Sequence, residues 1–209
     1  MKWDQYFNML KDWKLLPAYK VEPRVDSLIG FYLRDFLSDF LKTNIVGIIP
    51  EFPIRLGTIK PSHEGSVYAD RSYKVDFLAV ANNDKNYLVE FKTDSKSRRE
   101  GQDLYLTETM TLGTESLING MLKISSVSTY KKKYNHLKEK AISLGLLDQN
   151  GIYTGLNPTL EIIYVQPSNT NKEEKIIDFE WIANWLKSNY QDAEFEKELA
   201  ETLLHWSND

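Results

Sequence analysis

Two short apolar runs, Lys74-Val75-Asp76-Phe77-Leu78-Ala79-Val80 and Tyr87-Leu88-Val89-Glu90-Phe91-Lys92-Thr93, carry charged residues where a buried strand carries none. Both are rich in β-branched and aromatic residues, and Asn82-Asn83-Asp84-Lys85 between them is turn chemistry, so an antiparallel hairpin is expected. Side chains alternate faces along a strand. Phe77 therefore falls with Ala79 and Val89 with Phe91, whereas Asp76 falls with Leu78, and Glu90 and Lys92 with Leu88. A register pairing Asp76 with Glu90, Leu78 with Leu88 and Val80 with Asn86 gathers both carboxylates and the ammonium on one face. Like charges directly opposite destabilise a sheet, so two carboxylates about 5 Å apart at Cβ need compensation. A divalent cation between oxygen ligands, with Lys92 nearby, supplies it. Carboxylate, carboxylate, lysine and metal are the parts of a phosphodiester hydrolase site. The alternative is a solvated stripe, with Asp76 beginning an edge strand in water and Glu90 and Lys92 on a half-exposed sheet. Leu78, Val80 and Leu88 share the face with the charges, which favours the metal site.

Asp76, a gap of thirteen residues and then Glu90-Phe91-Lys92 resembles the motif of the PD-(D/E)XK nuclease superfamily. In that motif an Asp ending one strand and a (D/E)-x-K on the next build a metal site. Val75 stands where the family name has proline, a position often replaced in the family. The resemblance covers about residues 20–167. It implies an α/β fold with a mixed central sheet, helices on both faces and a restriction-endonuclease-like core. It implies further that Asp76 and Glu90 hold one or two Mg²⁺ ions, with Mn²⁺ as substitute, helped by the Phe91 carbonyl. Lys92 would position or activate the attacking water. An acid on the helix before the sheet often completes such a site, and Glu22 and Asp26 are the candidates. Glu22 lies on the apolar stripe seven residues before Ile29, and Asp26 three before it. Either acid can equally serve the helix itself, Glu22 as a cap and Asp26 at its positive end. The activity implied is Mg²⁺-dependent hydrolysis of DNA or RNA. The rival reading is a catalytically inactive module on the same fold that binds nucleic acid or protein.

The other elements are legible from periodicity. Trp3, Tyr6, Phe7, Leu10 and Trp13 predict a helix over 2–15, and Val25 to Leu41 recurs at three and four throughout. Glu51 to Gly57 alternates as a strand, with Pro53 near an edge or a strand start, and 58–72 reads as a loop or a loose hairpin. Leu117 to Leu147 reads as one long helix or two joined ones, with Tyr130 and Tyr134 on the apolar side. Leu160 to Gln166 is a near-continuous apolar run, as central strands are. Two helices follow, around Phe179–Leu186 and Phe195–Leu204. The expected organisation is one nuclease-like domain over 1–209, with 1–19 an N-terminal helix and 168–209 acidic C-terminal helices.

The chain has no cysteine, which excludes disulfides, thiolate nucleophiles and cysteine-bound zinc. His63, His136 and His205 are too scattered for a histidine metal site, so carboxylates are the expected ligands. No stretch reaches membrane-span length and the N-terminus lacks a signal-peptide run, so no membrane association and a cytoplasmic protein are expected. The net charge is −4, but it is unevenly spread: 123–140 is lysine-rich and 173–209 acid-rich. Lys96, Arg98 and Arg99 beyond the second strand, and Lys131, Lys132 and Lys133, are candidate nucleic-acid contacts. A solvated face is the alternative for the lysine run. The oligomeric state is open, a dimer included.

Overall fold

The structure is a computed structural model that describes residues 3–14, 22–92, 100–169 and 175–207. In chain order it contains α1 (Trp3–Lys14), α2 (Glu22–Leu41), β1 (Ile45–Arg55), α3 (Leu56–Ile59) and a 3-10 turn at Pro61–His63. These are followed by β2 (Ser72–Ala81), β3 (Lys85–Phe91), α4 (Glu100–Val127), α5 (Lys131–Ser143), β4 (Thr159–Gln166), β5 (Ile176–Asp178), α6 (Phe179–Asn189) and α7 (Glu194–Trp206). The five strands form one sheet in sequence order. β1–β2 and β2–β3 are antiparallel and β4–β5 is parallel, so the sheet is mixed and the fold is α/β. Among the described residues no helix is long and apolar enough to cross a membrane.

Packing divides the chain into two compact units. The first comprises Met1–Leu41, Phe91–Arg98 and Ile163–Asp209. Here the stripe of α2 is buried as its spacing predicts: Val25, Ile29, Leu33, Phe36 and Leu37 all lie inside with Phe179, Leu186 and Leu203. Each such side chain contributes about 1.5–3 kcal/mol relative to exposure. Trp3 meets Phe195 edge-on at 4.6 Å and ties α1 to α7. Polar anchors fix the helices: the Tyr32 hydroxyl donates to Glu196 Oε1 at 2.7 Å, and Trp185 Nε1 donates to Asp39 Oδ2 at 2.5 Å. Burial and then that carboxylate push the Tyr32 phenol well above its usual range. The Asp178 side chain caps α6 by accepting from Trp181 N at 2.8 Å. β5 is only three residues long, Ile-Ile-Asp, and periodicity did not reveal it.

The second unit comprises Lys42–Glu90 and Arg99–Ile162. β1 begins at Ile45, six residues before the strand expected from Glu51, and pairs with β2 from Ile45↔Ala81 to Arg55↔Ser72. It is an edge strand with one neighbour, which is why Pro50 and Pro53 are tolerated in it. Gly47 lies beneath Leu144, and any Cβ there would strike that side chain. At the other end of β1 the buried Arg55 guanidinium donates to Glu64 Oε2 at 2.6 Å and Asp70 Oδ1 at 2.7 Å, pinning the loop between β1 and β2. Tyr73 stacks on Tyr105 with centroids 3.6 Å apart and donates to its hydroxyl at 2.6 Å. That hydrogen bond, with burial, pushes the Tyr73 phenol up to about 12.

α4 changes direction at Gly113, whose φ of 76° is open to glycine and strained for other residues. Thr114 N then donates to Pro158 O at 3.0 Å. Beyond it the helical stretch expected as one piece or two is two: α4 stops at Val127 and α5 starts at Lys131. Tyr130 was expected on the apolar side, but it is 66% exposed. It sits in the joint between the helices, where the 3.6-residue phase is interrupted.

Candidate functional site

β2 and β3 pair in the register that the alternation of their sequences demands: Phe77↔Val89, Leu78↔Leu88, Ala79↔Tyr87 and Val80↔Asn86. Continued by one further step, that register would bring Asp76 level with Glu90, as the sequence alternation expects. A slip by a single residue would exchange the two faces of a strand, and Leu78, Leu88 and Val89 are all fully buried. The apolar residues of this pairing are buried on both faces of the hairpin. Asn86 fastens the far end of the hairpin: its Nδ2 donates to Thr114 Oγ1 at 3.2 Å and to Asn157 O at 3.3 Å. Asn157 Nδ2 in turn donates to Ala81 O at 2.6 Å and Asn86 Oδ1 at 3.0 Å.

The charges near the hairpin end are not a solvated stripe. Glu90 is 1% exposed and Lys92 6%, Asp76 is half-buried, and β2 has a neighbour on each side rather than a free edge. Burying a carboxylate or an ammonium costs several kcal/mol unless it is compensated. The residue between them points the other way, with the Phe91 ring stacked on Phe179 at 5.8 Å. Lys92 extends the pairing past β3, its backbone N donating to Val165 O at 2.7 Å.

Two carboxylates are hard oxygen donors, which suit Mg²⁺ or Mn²⁺, and Mg²⁺ characteristically takes one or two carboxylates and keeps several waters. The donor set at Asp76 and Glu90 fits that ion. Among the described residues no group of three or more His, Cys, Asp or Glu side chains is arranged to hold a metal. Of the auxiliary acids, Asp26 Oδ1 accepts from Ser27 N at 2.5 Å near the start of α2. Glu22 opens α2, and the direction of its carboxylate lies outside the described residues. Lys96, Arg98 and Arg99 also lie outside them.

The three lysines of α5 separate in role. Lys131 Nζ donates to the carbonyls of Ser125 and Ser126 at 3.2 and 2.6 Å, so it caps the end of α4. Lys132 is exposed. Lys133 lies over the Tyr130 ring with Nζ 5.7 Å from its centroid. It lines a groove of about 400 Å³ with Tyr130 of the joint, Tyr134 and Leu137 of α5, and Glu51 and Lys74 of the sheet. Sequence reasoning missed this groove. It also missed Glu51, whose φ is +51° and which lies between the pairs Pro50↔Phe77 and Phe52↔Val75, level with Asp76. Its carboxylate meets Lys74 Nζ at 3.5 Å. The only hint in the sequence is the acid between two prolines, Pro50-Glu51-Phe52-Pro53. Compared with protein-family models, curated proteins and solved structures, the chain matches none.

Proposed function

We propose that this chain is a divalent-metal-dependent nuclease on a restriction-endonuclease-like core. The observation that carries the reading is the hairpin register from Phe77↔Val89 to Val80↔Asn86, whose continuation by one step would pair a half-buried Asp76 with a buried Glu90 on adjacent strands. Further support comes from the element order: a helix, three antiparallel strands, a long helical segment and a buried strand. That is the arrangement the resemblance to the PD-(D/E)XK superfamily implies. A cytoplasmic location and a nucleic-acid substrate go with it.

Asp76 and Glu90 would hold one or two Mg²⁺ ions, with the Phe91 carbonyl as a further oxygen ligand. When bound, the ion acidifies water and offsets negative charge developing on the phosphate. Burial of Glu90 lowers the local dielectric, which strengthens its attraction for a cation. Lys92, two residues along from Glu90, holds the attacking water in position by donating a hydrogen bond. Its burial keeps the long side chain in few rotamers and so makes the ammonium a fixed donor.

The test is cleavage of single-stranded DNA, duplex DNA and RNA by purified protein in Mg²⁺ or Mn²⁺. Lys92→Met keeps the side-chain volume and removes the charge. It should cut roughly 10²- to 10³-fold more slowly, the usual worth of one positioned hydrogen-bond donor, while still binding Mn²⁺. Wild-type rates in Lys92→Met would remove Lys92 from the mechanism. Bound metal without cleavage of any of the three substrates would point to the binding module instead.

A further inference from the structure

We propose that the groove between α5 and the β1–β2 ladder binds single-stranded nucleic acid, with a base stacked on Tyr130 and a flanking phosphate at Lys133. The proposal deepens the nuclease reading and rests on it for the identity of the ligand. Tyr130 is 66% exposed. Lys133 Nζ holds one side of its ring at 5.7 Å, placing a cation beside an aromatic surface, the combination on which a base stacks and a phosphate is neutralised. Tyr134 and Leu137, three residues apart, share a face of α5, and with Tyr130 just before its start they line the groove.

Charge favours an anionic occupant. α5 carries Lys131, Lys132, Lys133, Lys138 and Lys140 against Glu139, and no acid stands in its first turn. Acids are preferred there because the helix presents its positive end, so the lysines add to that potential instead of cancelling it. Glu51, 3.5 Å from Lys74, tempers the sheet side of the groove and leaves Lys133 the main phosphate contact. A groove of about 400 Å³ is of small-ligand size. It takes one splayed nucleotide, and a duplex keeps its bases stacked on each other and offers no free face to the ring. Lys74 lies two residues before Asp76 on the same face of β2, roughly 7 Å along the strand. A strand held in the groove therefore leads toward the acid pair.

The experiment is fluorescence anisotropy in EDTA, which separates binding from cleavage, with a short labelled oligothymidylate and a duplex of equal length. Single strand should bind more tightly than duplex. Tyr130→Ala should weaken single-strand binding roughly 5- to 150-fold, the worth of one stacked base, and Tyr130→Phe should retain it. Lys133→Gln should lower the slope of log affinity against log salt by about 1. Duplex bound as tightly as single strand, or Tyr130→Ala binding like wild type, would overturn the proposal. Binding as expected in EDTA with no cleavage in Mn²⁺ would uphold the groove and remove the nuclease reading. Cleavage in Mn²⁺ with binding indifferent to Tyr130 would do the reverse.

Discussion

Leu78 on β2 stands directly across from Leu88 on β3, and the same register continued by two residues would bring Asp76 level with Glu90. The apolar pair is what fixes the polar one. Both leucines are completely buried, and a one-residue slip of β3 would move Glu90 to the opposite face of the sheet. The geometry of the candidate site has to be held by its neighbours in the hairpin. The hairpin does this with ordinary hydrophobic burial at one end and the Asn86–Asn157 network at the other.

Asn157 is the part of that network most sensitive to change. Its side chain makes two hydrogen bonds from a buried position, and its φ of +50° is one that asparagine tolerates better than most residues. Asn157→Ala loses both bonds and strains the backbone. A loss of about 2–4 kcal/mol is expected from urea unfolding. Asn157→Gly, which keeps the backbone freedom, should lose less. Equal losses in the two variants would assign the whole effect to the hydrogen bonds.

Glu64 links the loop after β1 to Arg55. The hydrogen bond from the guanidinium, followed by its charge, holds the Glu64 carboxyl below its usual value. A carboxyl whose pKa is lowered on folding contributes stability above its unfolded-state pKa of about 4.3 and loses it as the pH falls through the lower folded-state value. The gap in urea midpoint between wild type and Glu64→Gln should therefore be constant at neutral pH and close on acidification below about pH 4. A gap that widened on acidification would contradict the assignment.

Gly113 allows α4 to bend at φ 76°, ψ 176°, with Pro158 O 2.9 Å from where a Cβ would sit. Gly113→Ala should cost about 1–3 kcal/mol, the range for a residue forced into a sparsely populated backbone region. Thermal unfolding monitored by far-UV circular dichroism checks this. An unchanged midpoint would mean that the bend relaxes when a side chain is added.

The parts of the fold set by hydrophobic period were legible in the sequence, and the parts set by tertiary context were not. Val25 to Leu37 repeats at three and four because one face of α2 is buried, and the hairpin register follows from alternation along two strands. β5 has three residues, too few for any period to show. The first half of β1 escaped notice because Gly47 and Pro50 look like breakers, and only an edge strand under Leu144 makes sense of them. Tyr130 was misplaced because a single apolar stripe was carried across the joint between α4 and α5. Of the candidate site, Asp76, Glu90 and Lys92 were readable as charges in apolar runs, whereas the groove depends on β1, β2 and α5 coming together and left no local mark.

The central claim is that Asp76 and Glu90 together hold a divalent ion, and the most direct test is isothermal titration calorimetry of Mn²⁺ into wild type, Asp76→Asn and Glu90→Gln. Both substitutions preserve shape and remove one negative charge, so the fold should survive, which urea unfolding of the same samples verifies. The account predicts saturable Mn²⁺ binding to wild type, competed by Mg²⁺, and at least a tenfold loss of affinity in each variant. Equal binding by wild type and Asp76→Asn, with both proteins folded, would contradict it.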